Sequence, residues 1–101
     1  MLVDDVDFKY WEETYPLAWN MTKRLRSGQS AVSATVTVED ARGLDVTDAI
    51  IVTGSVSVTH PRVFVTFKPN GGERGKTYLV KVFCTTTDGD IIGQLMEMEI
   101  R

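Results

Sequence analysis

One histidine, one cysteine and a few aspartate clusters are the residues of this 101-residue chain whose types could support chemistry. His60, directly before Pro61, could act as a general base only with a nucleophile beside it and a group to orient its ring. The sequence points to neither, and a lone histidine at a proline turn reads as a turn or surface residue. Cys84 falls on a strand row that should face inward, where a thiol behaves as a small inert hydrophobe. One Cys and one His cannot close a zinc site without carboxylates. The carboxylates themselves raise calcium, since Asp88 and Asp90 flank Gly89 and Asp45 and Asp48 share another loop. Asp-Gly is also the ordinary two-residue hairpin turn, which accounts for Asp88 unaided. Asp4, Asp5 and Asp7 read as solvated. The expectation is no catalytic residue, no metal ligand set and no cofactor.

Short motifs add nothing to this. Asn20-Met21-Thr22 fits a glycosylation acceptor, but no secretion signal precedes it. Leu44-Asp45-Val46 matches an integrin-binding tripeptide that a protein kept inside a cell would not display. Gly71-Gly72-Glu73-Arg74-Gly75 does not open a helix, so it reads as a strand connector rather than a phosphate cradle. With 11 Lys and Arg against 14 Asp and Glu, the net charge of −3 argues against a nucleic-acid partner. Lys23-Arg24-Leu25-Arg26 reads as a solvated loop. No apolar run approaches the roughly 20 residues of a membrane helix, so no membrane contact is expected. The acidic start lacks the pattern of a signal peptide, and the single cysteine suits a reducing compartment. Synthesis and retention in a cytoplasm are expected.

Period-2 alternation positions these groups. Residues 30–38 form the cleanest strand, with Val32, Ala34, Val36 and Val38 inward. Residues 62–68 repeat the pattern through Val63, Val65 and Phe67, and Pro69-Asn70-Gly71-Gly72 then reverses the chain. Tyr78, Val80, Val82 and Cys84 form the next inward row, opened by a corner tyrosine. Ile92, Gln94, Met96, Met98 and Ile100 make the last, with Gly93 a place for a bulge. Residues 14–19 read as an edge strand because of Pro16, with Tyr15, Leu17 and Trp19 on one face. Shorter strands are expected at residues 49–52 and around Val56 and Val58. About seven short strands predict an all-β, immunoglobulin- or fibronectin III-like antiparallel sandwich spanning residues 13–101.

Residues 1–12 show no clean period and read as an arm rather than a strand. Phe8, Tyr10 and Trp11 are too many aromatics for a disordered tail. They either fold back on the sandwich or dock on another chain, and are the best partner-binding candidates.

The pattern resembles a family of small immunoglobulin-like structural proteins of phage and prophage tails and head-tail joints, fibre-tail adaptors among them. The resemblance rests on Leu25-Arg26-Ser27-Gly28, Ser33-Ala34-Thr35-Val36-Thr37-Val38 and Val63-Phe64-Val65-Thr66-Phe67. It continues through Gly71-Gly72-Glu73-Arg74-Gly75-Lys76-Thr77-Tyr78-Leu79-Val80 and Thr85-Thr86-Thr87-Asp88-Gly89. Where many members place Asp before an aromatic, Ala18-Trp19 stands, so any role of that Asp is absent. The resemblance implies a non-enzymatic virion protein that binds other phage structural proteins through sheet edges, loops or the arm, and forms homo-oligomers in rings. The alternative is a carbohydrate-binding or adhesion-type module using Trp11 or Trp19.

Overall fold

In the computed structural model, which describes residues 5–101, the alternating rows become two facing sheets. The strands are β1 (Asp5–Lys9), β2 (Tyr15–Asn20), β3 (Ala31–Glu39), β4 (Ser57–Thr59), β5 (Arg62–Phe67), β6 (Thr77–Thr86) and β7 (Ile91–Ile100). One sheet runs β1-β7-β6-β3 and the other β2-β5-β4. Apart from β1, this is the strand order of an immunoglobulin-type sandwich. Val63, Val65 and Phe67 face Val80, Val82, Met96, Met98 and Ile100 across a fully buried interior. Each large apolar side chain there contributes ~1.5–3 kcal/mol. The corner tyrosine is present: the Tyr78 hydroxyl accepts the Glu73 N–H at 3.0 Å. Gly72, at φ 77°, lies so close to that ring that a Cβ would sit 3.0 Å from it.

Six expectations are corrected. Part of the arm is a strand, for β1 pairs in parallel with β7, placing Asp7 opposite Met98 and Lys9 opposite Ile100. The sandwich is therefore antiparallel except along this edge. Asp7, read as solvated, lies on the inward row and accepts the Tyr15 hydroxyl at 2.7 Å, joining the two sheets. Asp4 of the same trio, and the arm before Asp5, lie outside the described residues.

Val32 does not face in. It is 57 % exposed because a register shift between Ala31 and Ser33 gives the inward place to Ala31. Residues 49–52 do not form a strand: Thr47–Ile50 make one helical turn, α1, and only Ile51 bridges, to Phe67. Ile50 and Ile51 are neighbours and both buried, a demand that period-2 geometry cannot meet. The β6–β7 hairpin turns through Thr87, Asp88 and Gly89 rather than two residues, with Gly89 at φ 85°. Gly93 brings no bulge, and pairing with Phe83 runs on through it.

Candidate functional site: an aromatic and arginine corner

Where β1 and β7 end together, the chain turns sharply through Tyr10–Glu13, closed by the Glu13 N–H on the Tyr10 carbonyl at 3.1 Å. Lys9 fixes this turn from within. It is fully buried, and its ammonium donates to the carbonyls of Tyr10 and Trp11 at 3.0 and 3.1 Å. Burial pushes its pKa below the ordinary lysine value, and the nearby Glu13 carboxylate acts in the opposite sense. The Trp11 N–H donates to the Arg101 carbonyl at 2.8 Å, and its carbonyl accepts from Asn70 at 2.6 Å.

The predicted partner-binding residues then diverge. Trp11 folds back: its indole Nε1–H donates to the Gly72 carbonyl at 3.0 Å, and the Arg74 guanidinium covers its ring at 4.8 Å. Phe8 and Tyr10 turn outward, 38 % and 55 % exposed, and meet edge to face at 5.6 Å. The Arg101 guanidinium lies over Phe8 at 3.9 Å. Arg74 is also paired with Glu12, and Arg101 with Glu99. A hollow of about 380 Å³ opens along Trp11, Gly72, Glu73 and Arg74. A second, of about 450 Å³, lies across the β5–β6 loop against Arg42, Lys76 and Tyr78.

Arg74, Arg101 and Lys9 are the members of this corner that sequence reasoning missed. Arg101 follows the outward Glu99 by two residues, so the strand period alone could have placed it on the face of Phe8. Nothing local marks Lys9, whose burial follows from a pairing seen only in the fold.

The other chemistry-bearing residues are spread out. His60 is exposed, and its Nδ1 accepts the Ala31 N–H at 3.1 Å. Cys84 is fully buried, and burial raises its thiol pKa. Asp88 is held in its anionic form by the Thr86 hydroxyl and by the Gln29 amide at 2.9 Å. Asp45 instead accepts from Thr47, in a separate turn. Among the described residues no three of His, Cys, Asp or Glu converge as a metal site. No helix among them is long and apolar enough to cross a membrane.

The chain is an all-β protein of two facing sheets with an aromatic and arginine corner on its surface. The chain belongs to the family described as podophage GP4 fiber-tail adaptor protein gp77, whose model matches residues 9–98. No curated protein matches the chain.

Proposed function

We propose that this chain is a non-enzymatic component of the phage virion that joins other tail proteins, and that it docks one of them through the corner of Phe8, Tyr10 and Trp11. The observation behind this reading is the pair of aromatic–guanidinium contacts at 3.9 and 4.8 Å, set beside a Tyr10 left 55 % exposed. Aromatics and arginines are the residues that most often dominate binding energy at protein interfaces. Lys9 and the turn it fixes hold them ready, which lowers the ordering cost of association. Virion location and ring-like self-association belong to the same reading, as do the lack of nucleic-acid and membrane partners.

The carbohydrate-binding alternative fares worse. Trp19 is 4 % exposed and offers a sugar no face, and one face of the Trp11 ring is already taken by Arg74.

The test is proteomics on particles of the phage that encodes this chain, with Tyr10→Ala as the variant because its ring is not part of the core. Stoichiometric presence of the native chain, and incorporation reduced on the order of tenfold or more for Tyr10→Ala, are expected. Absence of the native chain from intact particles, with expression confirmed, would sink the proposal.

A further inference from the structure

Side chains occupy part of each edge of the larger sheet. On β1, the N–H groups of Phe8 and Tyr10 donate to the Asp7 and Glu13 carboxylates at 2.7 and 2.8 Å. On β3, the N–H groups of Ala31 and Val38 donate to the His60 ring at 3.1 Å and the Thr47 hydroxyl at 2.9 Å. Such devices keep foreign strands off an edge. On the larger sheet these contacts favour faces and loops as the places for a partner.

The two outer faces differ. On the smaller sheet, Phe64 is flanked across the ladder by Ala18 and Ser57. The larger sheet instead presents a cluster of big apolar groups far from the corner. Phe83 of β6 lies directly across from Gly93 of β7, where a Cβ would come within 2.9 Å of its ring. The missing side chain lets the ring lie down over the strand, and it is still 42 % exposed. Ile91, two residues before Gly93, is 71 % exposed, and Leu95, two after it, is half-buried. A contiguous apolar patch on a wet face is the informative kind of exposure.

The charges around this patch are not balanced. Glu39 is neutralised by Lys81 at 2.8 Å, and Glu99, at the corner end of β7, by Arg101. Glu97, on the same face and next in the outward row after Leu95, has no cationic partner among the described residues. Glu97 lies four residues, about 14 Å, along β7 from Gly93. A surface broad enough to cover both Phe83 and Glu97 desolvates this carboxylate, which is tolerable only if that surface brings a cation.

We propose that this face is a second docking surface, for another tail protein that sets an apolar side chain against Phe83 and a lysine against Glu97. It lies about 20 Å along β7 from the Phe8 corner, by the strand rise. The inference shares with the proposed function only the premise that the chain is built into particles.

The test compares free chain with purified particles carrying Ile91→Cys, or Thr35→Cys on β3 as a second probe, with Ser57→Cys on the opposite face as control. Cys84 is buried and stays silent to maleimide. Expected are labelling at Ile91→Cys at least tenfold slower in particles, unchanged labelling at Ser57→Cys, and carbodiimide coupling of native Glu97 to a lysine of a different protein. Equal labelling of the Ile91 and Thr35 probes in both states overturns the proposal, whatever Tyr10→Ala does. Coupling of Glu97 only to another copy of this chain, or to nothing, overturns the stated partner. Absence of the chain from particles removes both proposals together, whereas normal incorporation of Tyr10→Ala with a protected Ile91 probe removes only the corner.

Discussion

Asp88 shows how a residue that looks like a ligand can be a structural one. Its carboxyl pKa is depressed, chiefly by the Thr86 hydroxyl and then by the Gln29 amide. A depressed folded-state value means stabilisation that is whole above the ordinary aspartate range and lost as pH falls through the folded value. Asp40 and Asp45 follow the same rule, held down mainly by the Leu44 N–H and the Thr47 hydroxyl. Asp88→Asn is therefore expected to lower stability at neutral pH and to flatten its decline below about pH 4, measured by urea unfolding across a pH series. Gln94 poses the opposite case, since its buried Oε1 accepts no hydrogen bond among the described residues. Gln94→Met keeps the length of the side chain and removes the unmet acceptor, so a gain of about 1 kcal/mol is expected in the same assay. Gly72 permits no such improvement. At φ 77°, with Ile50 and Tyr78 within 2.9 and 3.0 Å of a built Cβ, Gly72→Ala should cost about 1–3 kcal/mol.

Among the elements, β1 does most to separate what the residues announce from what they conceal. The inward rows of β5, β6 and β7 are readable because apolar residues recur at every second position, and burial follows that alternation. In β1 the code is inverted: Asp7 and Lys9 take inward places while Phe8 points to solvent. That pattern becomes sensible only once Tyr15 and two backbone carbonyls are there to receive the charges. The aromatics of the corner were legible as a group too numerous for a tail. Their division into an anchored Trp11 and exposed Phe8 and Tyr10 was not, because it depends on Gly72, Arg74 and Arg101 from distant parts of the chain. Nor could the alternation of β3 reveal that one extra residue turns Val32 outward. In β7, Gly93→Ala should displace the Phe83 ring at little cost to the fold, because that ring moves into solvent. A shift of the Phe83 ring resonances with a nearly unchanged Tm is the expected NMR and melting result.

At the scale of the whole molecule, membership of a fibre-tail adaptor family sets a requirement that the architecture can meet, namely contacts at separated places on one rigid body. The corner and the outer face of the larger sheet lie along the same strand, β7, and are joined by one continuous hydrogen-bonded ladder. The parallel pairing of β1 with β7 has a mechanical consequence. Tension drawing Asp5 and Ile100 apart acts along both strands at once, so their shared bonds are sheared together rather than opened one by one. Thr77 and Ile100 emerge at the same end of their pair, and tension there peels the ladder like a zip. Single-molecule pulling through residues 5 and 100 should require clearly more force than pulling through residues 77 and 100, the resistance a linker needs when a fibre drags on its particle.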